Sequence, residues 1–139
     1  MGHLSLVKEL VQGYQAFEAY SADHIRGMGL TMTQFDIVAT LGNQPPMTCK
    51  ELGEKTLVSK GTMTGVLERL IAKGLIKKYV NVDDGRSYKI GLTKAGEKLF
   101  KKIFPDHVKY LAKAMDGLSK KELEQIVLVL RNVKALFSK

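Results

Sequence analysis

The chain has one cysteine, Cys49, in 139 residues. No disulfide can close within it, and the expected setting is a reducing cytoplasm. No apolar run approaches the roughly 20 residues that a membrane-spanning helix needs, so a place in the bilayer is not expected. The N-terminus lacks a charged-then-apolar signal pattern, and Leu6 stands where a myristoylation motif starting at Gly2 would need Ser or Thr. Internal repeats and low-complexity tracts are missing. So are the common catalytic signatures: the chain contains no GxSxG, HExxH or CxxC. Gly27-Met28-Gly29 is no nucleotide loop, since Met32 occupies the place of the third glycine. His3, His24 and His107 are scattered, without Cys or acidic partners at ligand spacing. No enzyme, cofactor or metal site is therefore expected.

What is present is an ordinary globular composition, 45% hydrophobic and 26% charged, at a length suited to one domain over residues 1–139. The net charge is +8 and the pI about 9.6. A balance of that kind suits an anionic partner, although surface lysines also serve solubility. Residues 1–47 carry 2 basic and 4 acidic groups, while residues 48–94 and residues 95–139 each carry 10 basic and 5 acidic. The basic character thus belongs to the middle and C-terminal parts, and a basic N-terminal tail is excluded.

Periodicity places the elements. Val7, Leu10, Val11, Tyr14, Phe17 and Tyr20 recur at helical spacing within residues 4–26. Thr31 or Thr33 can cap a second helix, which must stop before Pro45-Pro46. Thr48 and Glu51 stand at capping-box spacing for a short third helix over residues 49–55, anchored by Leu52. A fourth helix starts at Ser59. Met63, Val66, Leu67, Leu70 and Ile71 form one apolar stripe on it, opposite Gly61, Gly65, Glu68, Arg69 and Ala72. Lys73-Gly74 supplies its stop. Residues 75–82 and 87–92 read as two strands of a hairpin around the turn Asp83-Asp84-Gly85-Arg86. Thr93 caps a fifth helix, with a kink or break expected at Pro105. Ser119 and Glu122 open a last helix, residues 120–137, that is apolar round most of its circumference. Such a helix must be buried on two sides or covered by a second subunit.

Two short helices, a turn, a third helix and a β-hairpin predict a mainly α fold, a winged helix-turn-helix flanked by N- and C-terminal helices. In such modules the last helix enters the major groove and other elements hold the backbone. The outward face of residues 59–73 is small at Gly61 and Gly65, hydroxylated at Ser59, Thr62 and Thr64, and cationic at Lys60 and Arg69. Glycine admits close backbone approach, and threonine can bond a base edge or touch a thymine methyl. Lys77, Lys78, Arg86 and Lys89 lie along the hairpin or at its tip, where an arginine can enter a minor groove. The carboxylate of Asp84 is expected to hold Arg86 or to receive Arg69, fixing wing against helix.

The runs Leu67-Glu68-Arg69-Leu70, Lys73-Gly74-Leu75-Ile76, Asp84-Gly85-Arg86 and Leu92-Thr93-Lys94-Ala95-Gly96 occur in that order. Together they resemble the MarR family of bacterial transcriptional regulators, in which this segment reads RL…GLI…DxR…LTxxG. With the flanking helices the resemblance spans essentially the whole chain. It implies a homodimer built from the first and last helices, a pseudo-palindromic double-stranded operator, wing roles for Asp84 and Arg86, and a major-groove role for Ser59 to Arg69. The lobe would cover residues 31–96, and residues 1–26 and 97–139 would form the helical dimerisation region. Ser87 stands where the family often has a second arginine. The expected function is repression, relieved by a small-molecule effector. The alternative is a winged-helix module for protein–protein assembly.

Two further candidates are open. Tyr14, Phe17, His24, Met28 and Phe35 crowd the end of the first helix and the start of the second. Core packing explains them, and so does a pocket for a small aromatic or lipophilic acid. Cys49 lies at a helix N-terminus, where a thiolate is stabilised, so it is either a redox sensor or inert packing.

Overall fold

A computed structural model of the chain describes residues 2–138. It divides into two compact units, Met1–His107 and Val108–Lys139. The first contains α1 (Gly2–Arg26), α2 (Met32–Leu41), β1 (Met47–Thr48), α3 (Cys49–Lys55), α4 (Lys60–Ala72), β2 (Ile76–Val80), β3 (Tyr88–Leu92) and the greater part of α5 (Lys94–Ala114). The second holds the end of α5 and α6 (Lys120–Phe137).

Local signals set most boundaries. Thr31, not Thr33, caps α2: its hydroxyl accepts the Gln34 N–H at 3.2 Å, and the Gln34 side chain accepts the Thr31 N–H at 3.1 Å. Thr48 and Glu51 form the same reciprocal pair before α3, as do Ser119 and Glu122 before α6. Glu51 and Glu122 are held below the usual carboxylate range, first by the backbone N–H of Thr48 and of Ser119. At the end of α4, Gly74 sits at φ +74°, its N–H reaching the Ile71 carbonyl and that of Leu75 the Leu70 carbonyl. This Schellman stop turns the chain directly into β2.

Side chains from α2, α3, α4, the sheet and α5 make one core. Ile37, Leu41, Leu52, Leu70, Ile76 and Ile90 are fully buried in it, and the predicted α4 stripe points inward with Met63, Val66 and Leu67. A smaller cluster of Ile25, Leu30, Phe35 and Ile103 ties the end of α1 to α2 and α5.

Two expectations change. The hairpin is part of a three-stranded antiparallel sheet in the order β1-β3-β2, because Met47 and Thr48 pair with Ile90 and Lys89. A two-residue strand after Pro45-Pro46 is too short to show alternation, and its pairing is bought by contacts distant in sequence. The break expected at Pro105 is absent, and α5 runs through it. Proline removes one N–H from the helix ladder. Phe100 and Ile103 are buried just before it, Phe104 stacks on Phe100 at 5.0 Å between centroids, and His107 is anchored two residues after it. That packing outweighs one lost bond.

Exposed apolar surface remains in both units. No residue of α6 is buried, and Ile126, Leu128, Val129, Leu130, Leu136 and Phe137 are all exposed, so burial on two sides within the chain is excluded. On α1, Leu4, Val7, Leu10, Val11, Tyr14 and Phe17 are likewise exposed.

Candidate nucleic-acid interface

Helix α4 shows solvent a face of Lys60, Gly61, Thr62, Thr64, Glu68 and Arg69, with Gly65 half-buried. Ser59 is the N-cap residue, yet its hydroxyl makes no capping bond and donates to the Thr62 hydroxyl at 2.8 Å. A Cβ built at Gly61 or at Gly65 meets nothing within 4 Å. Glycine inside a helix costs roughly 0.5–1 kcal/mol relative to alanine. Nothing in the fold asks for it at either position.

Helix α2 holds α4 at both ends. The Asp36 carboxylate accepts the Leu57 N–H at 2.8 Å in the turn before α4. Burial raises the Asp36 pKa, and that hydrogen bond opposes the rise. At the far end, the Lys73 ammonium donates to the Gly29 carbonyl at 2.9 Å and to the Gln34 side-chain oxygen at 3.1 Å. The pitch of α4 is therefore set by two polar clasps. Neither was anticipated, because the partners lie 21 and 39 or more residues apart in sequence.

The wing tip is ordered from within. Buried Asn81 donates to the Ser87 hydroxyl at 2.8 Å and accepts the Asp83 N–H at 3.2 Å. Asp84 accepts the backbone N–H of Arg86 at 3.0 Å through its side chain and that of Ser87 at 3.1 Å through its carbonyl. The carboxylate of Asp84 thus shapes the turn. It pairs with neither guanidinium, and among the described residues the ion pair is Arg26–Asp23. The expected clasp from Asp84 to Arg69 or Arg86 is corrected: the Asx-type turn claims the carboxylate first. Arg86 is exposed at the tip, whereas Ser87 is half-buried with its hydroxyl engaged by Asn81 and the Asp84 carbonyl. Lys89 sits half-buried in β3 close enough to Glu51 to favour that carboxylate's charge. Sequence reasoning passed over Asn81, although an Asn two residues before the first Asp of a DDGR turn is a recognisable turn signal.

The separated motif pieces meet at the wing's root. The Thr93 hydroxyl donates to the Gly74 carbonyl at 2.6 Å and accepts the Gly96 N–H at 3.0 Å, while the Thr93 N–H bonds the Leu75 carbonyl at 3.0 Å. A Cβ at Gly96 would overlap that same Leu75 oxygen, so only glycine lets α5 start this close to β2. Lys-Gly-Leu and Leu-Thr-x-x-Gly are two halves of one joint.

The effector residues separate. Phe35 is buried, with Met28 and Met32 against it, whereas Tyr14 and Phe17 are exposed on α1. His24 stacks on His107 at 5.2 Å, with 2.9 Å between their Nδ1 atoms, and the Ser21 hydroxyl lies 3.0 Å from His107 Nε2. Phe35 meets the His107 ring edge-on at 4.7 Å. His24 and Met28 also line a cleft of about 350 Å³ with Leu99, Ile103, Lys102 and Asp106. Burial, and then the charge of His24, lowers the His107 pKa. The unfolded chain consequently binds the proton more readily. Folding stability should decline as pH falls from about 6.5 toward the folded-state value and level off below it. Urea unfolding at a series of pH values checks this, and the His107→Gln variant should show a shallower decline.

Cys49 is half-buried near Tyr88, whose pKa is raised, first by the charge of Cys49. The described residues contain no group of three or more His, Cys, Asp or Glu placed to hold a metal, and no helix among them is long and apolar enough to cross a membrane.

A helix-turn-helix offering one cationic, hydroxylated helix face beside a hairpin with an arginine at its tip is the architecture of a winged-helix transcriptional regulator. The sequence profile of the MarR family matches residues 30–88. The homoprotocatechuate degradative operon repressor of Escherichia coli is 31% identical over 98 residues, covering 70% of this chain and 66% of that protein. A probable transcriptional regulator from Pseudomonas aeruginosa is 32% identical, with a TM-score of 0.78 over 89% of this chain and 92% of the other. BpsR of Bordetella bronchiseptica, whose DNA binding is regulated by 6-hydroxynicotinic acid, is 28% identical, with a TM-score of 0.80 over 96% and 92%. The chain belongs to the MarR family. It is a DNA-binding transcriptional regulator, and these relatives are regulators rather than enzymes.

Proposed function

We propose that the chain works as a homodimer that represses transcription from a pseudo-palindromic operator and lets go when a small aromatic or lipophilic acid binds. The observation that carries the DNA-reading part is the pair Gly61 and Gly65. Both lie on the outward face of α4, in open space, where alanine would stabilise the free protein. Helix backbone that must lie against base edges accounts for keeping them. Ser59, Lys60, Thr62, Thr64 and Arg69 surround that strip, and Asp84, Arg86, Ser87 and Lys89 form the wing side of the interface. Residues 31–96 act as the DNA-binding lobe.

Dimerisation rests on the apolar stripes of α1 and α6, in residues 1–26 and 97–139. An amphipathic helix gains most of its stability by covering its apolar face, and a second copy covers both. Two recognition helices related by a two-fold axis would then reach successive major grooves, roughly 34–36 Å apart. For the effector, the cleft beside His24 and Met28 has Leu99 and Ile103 as apolar walls, Lys102 as a cation suited to a carboxylate, and Asp106 as an acidic neighbour. The repressor and BpsR similarities favour an aromatic acid. Its leverage is its preference for one spacing of the two lobes over the other.

Selecting duplexes from a random pool gives the operator and tests the reading. The expected product is an inverted repeat, with affinity falling steeply as salt rises. On that operator, Gly61→Ala with Gly65→Ala should raise folding stability by about 1–2 kcal/mol while weakening binding. A variant that is more stable and binds undiminished would remove the close-approach argument.

A further inference from the structure

On the side of the hairpin remote from its tip, β2 and the start of α5 line an open cleft of about 580 Å³. Lys94, Lys98 and Lys101 recur at spacings of four and three along α5, which places them on one face of that helix. Lys77 of β2 is the fourth lysine of the lining, its ammonium 4.9 Å from the centroid of the Tyr79 ring. Glu97 is the single acidic residue of the lining. Among the described residues, none of the four lysines has an ion-pair partner. The floor is firm: Tyr79 lies across Gly91, where a Cβ would press on its ring, and its hydroxyl donates to the Leu92 carbonyl at 3.4 Å. Four like charges from two elements around one cleft repel one another, and the surface helix alone gives no reason to bring Lys77 to them.

We propose that this cleft is a binding site for a small, multiply phosphorylated ligand, an inorganic polyphosphate or a nucleoside polyphosphate. Its volume lies within the roughly 300–1,000 Å³ of small-molecule sites. A duplex presents a convex backbone and meets a single row of cations, whereas cations that two elements bring to one cleft can converge on a compact anion. Lysine binds phosphate as a flexible point charge, without the fixed fork of arginine, and so accommodates a short chain of phosphates in more than one register. The apolar floor of Tyr79 and Leu92 leaves room for a flat ring but does not require one. The site stands apart from the α4 face and the wing tip, so its occupancy is measured without DNA. Failure of the operator reading would leave it untouched.

The test is calorimetric titration of the full chain at low salt with sodium tripolyphosphate and, separately, with ATP. Both should bind, and Lys98→Gln with Lys101→Gln should weaken binding at least about tenfold, with Lys77→Gln costing less. Lys120→Gln with Lys121→Gln on α6 should leave affinity unchanged. Tighter binding of ATP than of tripolyphosphate assigns the nucleoside form, and equal binding assigns the phosphate chain alone. These are surface substitutions, and an unchanged thermal melt verifies that each variant is folded. The proposal is overturned if neither probe binds, if the cleft and α6 variants weaken binding equally, or if sulfate at matched ionic strength competes as well as tripolyphosphate. In each of those cases the lysines serve only as a solvated surface.

Discussion

Replacing Arg86 by alanine is expected to weaken operator binding about ten- to a hundredfold, the range of roughly 1–3 kcal/mol that one well-placed arginine contact is worth. The folded protein should barely notice. Arg86 is exposed, and its own part in the turn is a backbone N–H bonded to Asp84, which alanine keeps. Melting temperature and oligomeric state should match the parent, and the slope of log affinity against log salt should fall by about one unit if the guanidinium neutralises one phosphate. Affinity that survives the substitution unchanged would remove the wing tip from the interface. Asp84→Ala should act differently. It frees the Arg86 N–H and loosens the turn, so its effect on binding passes through the order of residues 81–87 and should be smaller.

A larger loss is expected from Val129→Glu with Leu136→Glu. These residues lie seven apart on one face of α6, 59% and 70% exposed within the chain. Charge at such positions costs little in an isolated chain, because neither side chain is buried there. In a dimer held through α6 it would bury two carboxylates per subunit without partners, which is prohibitive. Sedimentation should show a monomer, and operator affinity should drop by more than about a hundredfold, because a half-site alone loses the linkage between two modules. A dimer that persists would move the proposed interface away from α6.

The parts of this fold that could be read in advance are those whose causes lie within a few residues. The reciprocal caps Thr31–Gln34, Thr48–Glu51 and Ser119–Glu122 each span three residues. The α4 stripe follows from helical periodicity, and its end from one glycine at positive φ. The hairpin follows from two β-rich runs around Asp-Asp-Gly-Arg. In each case the free energy comes from neighbours along the chain.

The misses have the opposite character. β1 exists because Met47 and Thr48 meet β3 more than forty residues away. Asp84 could as well have served Arg69, Arg86 or its own turn, and charge complementarity does not rank them; the backbone geometry of the tip does. Pro105 looked like an interruption because propensity was weighed without the Phe100 and Ile103 packing beneath it. Of the five aromatic, histidine and methionine residues considered for a pocket, His24 and Met28 share a cleft and Phe35 lies buried behind them, while Tyr14 and Phe17 face solvent. Spacing along a helix assigns residues to a stripe but does not say what covers it.

The identity of the elements, their caps, the hairpin and the basic winged-helix character were thus set by the order of residues alone, since each depends on a local period or a short hydrogen bond. The clasps that aim α4 from α2, the third strand, the internal order of the wing and the gathering of four lysines beside Tyr79 came only with the folded chain. Those depend on side chains brought together from distant positions. No local rule ranks such pairings, because the desolvation and geometry that decide among them exist only once the core has formed.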